Sequence, residues 1–537
     1  MPLTNNQRSD VILISPENRK NQIYPPFALL FLSSCLEANG ISTKIIDIKS
    51  EPMSLFQQIR APNESKEIYF KTIRDTIKSD SPLLVGLTCY TSEYNSVMEV
   101  AKIIKETTNT KVVVGGVHAT IMPQDFLFKG SPVDFVIIGD GETPLLRLCE
   151  SIKNKNGSYR QTTGIAYFDN NKIINQGCNV ELDLNKFPIL DYSKIDMKFY
   201  TKPNTGNIRW LLLSAVSIFT GRGCPYNCEF CAVNYLRDLN KDSGKMRYRS
   251  IDQVIEELEI LKNEYHIDGF YVLDDCFMTS KERVVEFCKK LIKKDLKLIW
   301  AAETRVNLIK DESLLELMKK AGLIQLDFGV ESGSPNMLIE INKKITVEQI
   351  KKAFELCRKH RIRTYANILF NIPNESEEDI LLTNKLLNEI KPSVVGCGTT
   401  VPLLGSPLYE KFVFPKLTPQ EYELYNLDVY ERIVDERFRF AKHNLDLNNI
   451  VKKLNNKYSE IRTMPFTILY WEKVLKSYHL VNYLNAYLNV LLIKPINRIL
   501  IYGLKMILNV DNFLFRGNLK NLLKYIIKKR ANKNASV

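Results

Sequence analysis

Strand-like and helix-like patterns alternate along this chain in two separate blocks. In the first 150 residues, runs such as "VILIS" and "STKIIDI" have the pattern of buried strands. Between them, "YPPFALLFLSSCLEANG" and "SVMEVAKIIKET" have helical spacing. Strands that alternate with helices form a parallel sheet covered by helices, and such a sheet binds its ligand over the carboxyl ends of the strands. We therefore predict a doubly wound, Rossmann-like α/β domain over residues 1–185.

Glycines follow two of the predicted strands at the expected ligand-binding edge. Gly115 and Gly116 lie in "GGVHAT", and Gly139 and Gly141 lie in "GDGE". Small residues let a large, flat ligand approach the backbone, so these four glycines are candidate cofactor-binding residues. No G-x-G-x-x-G motif follows the first strand, which argues against a dinucleotide.

The second block of alternation begins near Leu211. Its strand-like runs are "SAVSIFTGRG", "GFYVLDD", "LKLIWAAET", "LIQLDFGVES", "RTYANILFNIP" and "SVVGCGTTVPL". Six β-α units form a full or partial (β/α) barrel, whose active site lies at the carboxyl ends of the strands. We predict this barrel over residues 211–430, a linker at 186–210, and a helical C-terminal region at 431–537.

The basic excess of the chain is confined to its C-terminal region. Residues 451–537 contain 16 Lys and Arg against 3 Asp and Glu, whereas the rest of the chain is balanced. A neutral body argues against nucleic-acid binding. Near the end, Leu519, Leu522 and Ile526 recur on one helical face, with Lys524 and Lys528 largely on other faces. Such a helix either lies on an anionic membrane surface or packs on the barrel as a cap.

Cysteine usage and the first residues predict a cytoplasmic location. Eleven cysteines are scattered over 537 residues, which is not the pattern of a disulfide framework. The opening "MPLTNNQRSD" is polar and lacks the features of a signal peptide. We therefore expect a cytoplasmic protein, with association to a membrane through the C-terminal region as an open alternative.

Three cysteines lie close together in "GRGCPYNCEFCAV". Cys224, Cys228 and Cys231 are spaced by three residues and then by two, and no second C-x-x-C accompanies them. A structural zinc site needs four protein ligands, usually as two separated pairs. Three thiolates on one loop can instead hold three irons of a [4Fe-4S] cluster and leave the fourth iron open. The loop follows the first barrel strand, where the active site of a barrel belongs.

This loop resembles that of the radical S-adenosylmethionine (SAM) enzymes, and the resemblance continues through the later strands. It implies that the open iron binds the amino and carboxylate groups of SAM. By position, "YVLDD", "AAETRVN" and "GVESGS" resemble the segments that contact SAM in that family. The residues they implicate are Asp274, Asp275, Glu303, Arg305, Glu331 and Ser332. One departure lies in "ANILFNIPNE", where the family usually has glycine at the positions of Asn371 and Asn374.

The first block resembles the cobalamin-binding domain of the radical SAM proteins that contain one. "YPPFALLFLSSCLEANG", "GGVHATIMPQ" and "VDFVIIGDGETPLL" carry this resemblance. The D-x-H-x-x-G signature that supplies a histidine to cobalt is absent. His118 stands in a different context, so we do not assign it as a cobalt ligand. The resemblance implies cobalamin with its own base displaced and no histidine below the cobalt.

Together the two resemblances imply an enzyme with a [4Fe-4S] cluster, SAM and cobalamin as cofactors. The expected reaction generates a 5′-deoxyadenosyl radical and methylates an unactivated carbon of a lipid or secondary metabolite. Oxidative cyclisation and carbon–carbon coupling are alternatives within the enzyme class, and a sensor or electron-transfer protein is an alternative outside it. The expected partners are the small-molecule or lipid substrate and an electron donor such as flavodoxin or ferredoxin.

Overall fold

The computed structural model describes most of the first 459 residues and one short segment beyond them. The described residues are 8–15, 24–47, 62–209, 211–239, 246–426, 433–459 and 474–488. The chain divides into two compact units, Met1–Tyr470 and Trp471–Val537. The predicted basic helix that contains Leu519, Lys524 and Lys528 lies outside the described residues. Within the described residues, no helix is both long enough and apolar enough to cross a membrane.

The first sheet has seven strands. These are β1 Val11–Ser15, β2 Thr43–Asp47, β3 Leu84–Thr88, β4 Lys111–Gly115, β5 Phe135–Ile137, β6 Ile165–Asp169 and β7 Lys172–Asn175. Their spatial order is β2-β1-β3-β4-β5-β6-β7; the first five strands are parallel and the last two antiparallel. The order 2-1-3-4-5 is a doubly wound arrangement, in which the ligand crevice opens at the β1/β3 switch point.

The helices of this domain lie on both faces of the sheet. They are α1 Phe27–Ala38, α2 Pro62–Asp80, α3 Tyr94–Thr107, α4 Val117–Ile121 and α5 Glu142–Asn154. Alternate side chains of β1 enter different cores: Ile12 and Ile14 join one hydrophobic cluster, and Val11 and Leu13 join another. This explains why the strand is apolar at consecutive positions rather than at alternate ones.

The second sheet forms the predicted barrel. Preceding it are the helix α6 Met197–Tyr200 and an antiparallel hairpin, β8 Asn204–Ile208 and β9 Leu211–Leu213. The six parallel strands are β10 Ala215–Ile218, β13 Gly269–Val272, β14 Ile299–Thr304, β15 Leu323–Glu331, β16 Arg363–Phe370 and β17 Val394–Thr399, in that spatial order. Among the described residues β10 and β17 do not pair with each other, so the barrel is partial. A separate antiparallel pair, β11 Gly221–Arg222 and β12 Arg247–Tyr248, follows β10.

Helices connect these strands and cover their outer face. They are α7 Val233–Asp238, α8 Ile251–Tyr265, α9 Lys281–Lys294, α10 Glu312–Lys320, α11 Pro335–Glu340, α12 Val347–Lys359 and α13 Glu377–Ile390. Two more helices, α14 Pro407–Phe412 and α15 Leu447–Ser459, follow the last strand, and α16 Leu480–Leu488 belongs to the second compact unit. The predicted fold class, a doubly wound domain followed by a partial (β/α) barrel, is confirmed. α15 lies along the edge strand β17: Asn455 Oδ1 accepts the N–H of Cys397 at 2.8 Å. This contact satisfies a backbone donor that an edge strand would otherwise expose.

Several helix boundaries follow from short-range sequence signals. α1 ends at Ala38, and Gly40 adopts a positive φ of 73° directly after it. α8 begins after Ser250, whose hydroxyl accepts the N–H of Gln253. α12 begins with a capping box between Thr346 and Gln349. These local features fix where individual helices begin and end, whereas the loops at the carboxyl ends of the strands build the site.

The segment 186–210, which we expected to be a linker, contributes buried side chains to the barrel core. Tyr192 is 1% exposed, and its hydroxyl donates to Glu257 Oε1 at 2.6 Å. Glu257 also pairs with Arg249 at 2.5 Å. The three side chains form a buried, charged contact between this segment and the start of α8. Burying two charges costs free energy unless each is paired and hydrogen-bonded.

Replacing Tyr192 with phenylalanine should therefore destabilise the barrel. The change removes a hydrogen bond to a buried carboxylate, which is worth about 1.5–3 kcal/mol. Urea unfolding followed by fluorescence should show this loss. Tyr265→Phe is the matched control, because its ring packs 6.1 Å from that of Tyr192 without the bond to Glu257. Equal stability of the two variants would contradict the prediction.

Candidate functional site

The cysteine loop begins immediately after β11 and ends at α7. Cys224 and Cys231 are partly exposed, and Cys228 is buried with 7% of its surface accessible. Within the described residues, no three His, Cys, Asp or Glu side chains lie close enough to share one metal ion. The three thiols nonetheless lie near one another, because the charges of Cys228 and Cys224 act on the pKa of Cys231.

Two carboxylates at the end of β13 hold the start of this loop. Asp274 accepts the N–H of Thr220 at 2.7 Å, the Thr220 hydroxyl at 2.5 Å and the N–H of Gly221 at 3.2 Å. Asp275 accepts the N–H of Gly223 at 3.2 Å. Both oxygens of Asp274 are thus used by the loop, whereas the Asp275 side chain is exposed. Burial raises the pKa of Asp274 to about 6, because the hydrogen bonds only partly offset the desolvation.

The surroundings of the cysteines suit an anionic cluster. Burial raises the pKa of the Cys231 thiol to about 11, so a bound metal is needed to keep it deprotonated at neutral pH. Arg305 is buried, and its Nη1 donates to Cys228 Sγ at 3.5 Å. The buried Lys343 is a second cation near Cys228, and its pKa is raised because Glu331 and Cys228 outweigh the effect of burial. Thiolate donors with cationic neighbours are the donor set that an iron–sulfur cluster requires.

Two more residues expected to contact SAM, Glu331 and Ser332, lie at the carboxyl end of β15. Glu331 is buried, has a positive φ of 63°, and pairs with Lys343 Nζ at 2.6 Å. Ser332 is buried beside it, where its hydroxyl lies 3.2 Å from that of Thr383. A left-handed backbone at a non-glycine residue is strained, and such strain concentrates at functional sites.

Glu303 faces a different group of side chains, inside the barrel. It lies 3.4 Å from Arg209, which comes from the end of β8 and also lies 3.5 Å from Asp327. Tyr271 donates its hydroxyl to Asp327 at 3.0 Å, and Gln325 donates to it at 2.8 Å. Glu303 thus pairs with Arg209, whereas Arg305 contacts Cys228, although the two are near neighbours in "AAETRVN".

A cavity of about 440 Å³ connects the crevice of the first sheet with the cysteine loop. Its lining includes Gly116 and Gly139 from the first domain and Gly223 and Asp275 from the barrel. Gly115 and Gly141 are not among the described lining residues; Gly115 ends β4, and Gly141 precedes α5.

The two lining glycines of the first domain, Gly116 and Gly139, are required by the backbone. Gly116 has φ of 100°, and a Cβ there would lie 2.9 Å from the carbonyl oxygen of Cys89. Gly139 has φ of 89°, and a Cβ there would overlap Asn179. The bare backbone offers a flat ligand an approach at the switch-point edge, which fits the cobalamin implied by the sequence. The cavity would hold only part of so large a molecule.

His118 does not face this cavity. It is completely buried, with Nδ1 at 3.1 Å from the Thr91 hydroxyl and Nε2 at 3.2 Å from Asp125. The ring of Tyr422 packs against it with centroids 4.9 Å apart. Both ring nitrogens thus lie next to protein groups inside the core.

Asn371 and Asn374 adopt the left-handed conformation that glycine usually provides, with φ of 60° and 65°. Asparagine tolerates this region better than most residues. The Asn371 side chain also binds the C-terminal segment: Nδ2 donates to the carbonyl of Phe438 at 2.7 Å, and Oδ1 accepts the N–H of Phe440 at 3.0 Å. The departure from glycine thus keeps the backbone geometry and adds a contact.

Sequence reasoning missed five charged residues at the site. Arg222, Arg237, Arg247 and Asp140 line the cavity, and Lys343 contacts Glu331. Arg222 lies within "GRGCP" and Asp140 within "GDGE", so both stretches had been singled out for their other residues. No local signal indicates Arg247 or Lys343, because only the fold brings them to the site.

Two family models match this chain, one over each of the two domains that line the cavity. Residues 20–148 match the B12 binding domain, and residues 218–387 match the radical SAM superfamily. These matches and the geometry define an enzyme class with a cofactor-binding α/β domain and a radical SAM barrel. The chain therefore combines a B12-binding domain with a radical SAM domain, the combination that its sequence predicted.

Several known proteins align with most of this chain. The uncharacterized methyltransferase PH0819 of Pyrococcus horikoshii is 28% identical over 388 residues, which is 72% of this chain and 78% of that protein. The anaerobic magnesium-protoporphyrin IX monomethyl ester cyclase of Rubrivivax gelatinosus is 27% identical over 75% of this chain and 69% of that protein. Among solved structures, the radical SAM methyltransferase TsrM of Kitasatospora setae, with cobalamin and a [4Fe-4S] cluster bound, matches with a TM-score of 0.61 at 18% identity. That match covers 75% of this chain and 78% of that one, and it shows a shared fold.

Replacing Cys224, Cys228 or Cys231 with alanine should abolish cluster assembly, because each thiolate would hold a different iron. Anaerobic reconstitution followed by a colorimetric iron assay measures this, with about four irons expected per parent chain. Cys276→Ser is the matched control: its thiol is buried near Cys224 but should not bind iron. Loss of iron in that control, with retention in the three variants, would overturn the assignment.

Asp274→Asn should keep the cluster and change SAM affinity by less than about threefold, since an amide can accept both N–H groups and donate to Thr220. Because the folded-state pKa of about 6 lies above that of an unfolded aspartate, the parent loses stability as the pH rises from about 4 to 6. The thermal midpoint of the asparagine variant should therefore rise relative to the parent over this range. A large loss of SAM affinity would instead mean that Asp274 binds SAM directly.

Proposed function

We propose that this protein is a cobalamin-dependent radical SAM methyltransferase acting on an unactivated carbon of a small molecule. One observation carries the proposal: a single cavity is lined by residues that follow β3, β4 and β5 of the B12-binding domain and by the loop that contains the cysteines. This arrangement suits two cofactors acting on one substrate. The methyltransferase name of the Pyrococcus horikoshii relative supports the same reaction.

The residues of this chain have separate tasks in that reaction. Cys224, Cys228 and Cys231 would hold the cluster, and Gly116 and Gly139 would lie against cobalamin. When bound, these groups supply one-electron reduction of SAM and a carrier for the methyl group. Because Asp274 is already satisfied by the loop, its role in the proposal is to position the cysteines.

Three other charged groups are the candidates for SAM contacts. Asp275 is exposed in the cavity beside Gly223, and Arg305 lies against Cys228. Glu331 pairs with Lys343, whose backbone carbonyl accepts a hydrogen bond from Arg305. Glu303 pairs instead with Arg209, which also pairs with Asp327.

Two SAM molecules would be consumed in each turnover. One would give S-adenosylhomocysteine after methylating the corrinoid, and the other would give methionine and 5′-deoxyadenosine after removing a hydrogen atom from the substrate. The electrons would come from a donor such as flavodoxin or ferredoxin. A lipid substrate and peripheral membrane contact through the basic C-terminal region stay predictions.

Incubation with methyl-labelled SAM tests the proposal. The anaerobic, cobalamin-loaded protein is given a one-electron reductant and an extract of the cells that produce it, and products are followed by mass spectrometry. We expect label in one extract component together with S-adenosylhomocysteine and 5′-deoxyadenosine. The Cys228→Ala variant is the control and should yield no labelled product. An unlabelled product that has lost hydrogen atoms would indicate a cyclase, the activity named for the Rubrivivax gelatinosus relative.

A further inference from the structure

Two arginines of the barrel form ion pairs with one aspartate of the B12-binding domain. Arg222 and Arg247 lie directly opposite each other in the antiparallel pair β11–β12. Arg222 Nη1 lies 3.0 Å from Asp140 Oδ1, and Arg247 Nη1 binds Asp140 Oδ2. Arg222 also pairs with Glu142. Both oxygens of Asp140 are therefore held by the other domain.

On its own side, Asp140 is fixed to the end of β5. Its N–H donates to the carbonyl of Asn179 at 2.8 Å, and its carbonyl accepts from Asn179 Nδ2 at 2.9 Å. Its Oδ2 accepts the N–H of Glu181 at 2.9 Å. The preceding residue is Gly139, which lines the cavity. A movement of Asp140 would therefore move the crevice edge with it.

On the barrel side, Arg222 is fixed between two anchored glycines. Gly221 donates to Asp274 and Gly223 donates to Asp275, each at 3.2 Å. Cys224 follows one residue later. The chain of contacts from the crevice to the cysteine loop thus contains few residues, and each is held by hydrogen bonds.

The charges of this group cancel within it. Two guanidinium groups face two carboxylates, those of Asp140 and Glu142, and all four side chains are at least three-quarters inaccessible. The pKa of Asp140 is lowered because Arg222 and Arg247 outweigh its burial, so it stays ionised. A neutral, internally paired group leaves no free charge to recognise an anionic ligand. Its fixed geometry suits a structural role, in which it holds the end of β5 in place relative to the cysteine loop.

We propose that Arg222 and Arg247, acting through Asp140, are positioning residues that set the separation between bound cobalamin and the cluster. The inference rests on the proposed function, since it requires both groups to be bound. It concerns the distance between them and not the chemistry of either one.

Electron paramagnetic resonance tests this inference without turnover. The holoprotein is prepared with cob(II)alamin and a reduced cluster, which are both paramagnetic, and their dipolar coupling is measured. Because this coupling falls with the cube of the distance, a small displacement changes it. We expect Asp140→Asn and Arg222→Gln to shift and broaden the coupling, and Arg222→Lys, which keeps the charge, to restore it in part. Arg160→Gln is the matched control: Arg160 pairs with Asp169 at 3.1 Å within the first domain, on an exposed surface.

Each outcome decides between the alternatives. An unchanged coupling in Asp140→Asn and Arg222→Gln overturns the inference. Loss of cobalamin from Asp140→Asn, with the cluster retained, also overturns it and makes Asp140 a ligand contact. If Arg222→Gln does not fold, the isosteric Asp140→Asn tests the same contact. Failure of the parent to bind cobalamin or the cluster would count against the proposed function instead.

Discussion

The site depends on the hydrogen bonds by which Asp274 holds the entry to the cysteine loop. That loop has little regular structure, so its shape comes from side chains outside it. Asp274 binds the backbone at Thr220 and Gly221, and the adjacent Asp275 binds Gly223. Both carboxylates come from the end of β13, the strand that pairs with β10, from which the loop departs. A buried carboxylate is costly, and these hydrogen bonds are what make its position tolerable.

Around this anchor, charges are arranged in two ways. Near Cys228 the cations Arg305 and Lys343 accompany the carboxylate of Glu331, so cations lie next to a cysteine. At the boundary with the first domain, arginines and carboxylates balance within one group. The first arrangement suits an anionic cluster, whereas the second suits attachment between domains. The same residue types thus serve different purposes because their partners differ.

The C-terminal segment completes the barrel through backbone contacts. Asn371 binds the backbone at Phe438 and Phe440, and Asn455 binds the backbone of Cys397 on the edge strand. These asparagines fix a segment that follows the last barrel strand without requiring a further strand. A chain with glycine at position 371 would keep the turn but lose the side-chain hydrogen bonds to Phe438 and Phe440.

The sequence by itself determined the elements and their order, because hydrophobic periodicity and helix caps act over a few residues. It also predicted the two domains, and the spacing of Cys224, Cys228 and Cys231 on one loop predicts that they hold the cluster. The SAM and cobalamin contacts inferred from it stay proposals. Only the tertiary structure decided which charged side chains meet. Arg247 reaches Asp140, and Glu303 turns towards Arg209, across separations that no local pattern encodes. Pairing over such distances depends on where the carboxyl ends of the strands lie in the two sheets. Their positions are set by the packing of the whole fold.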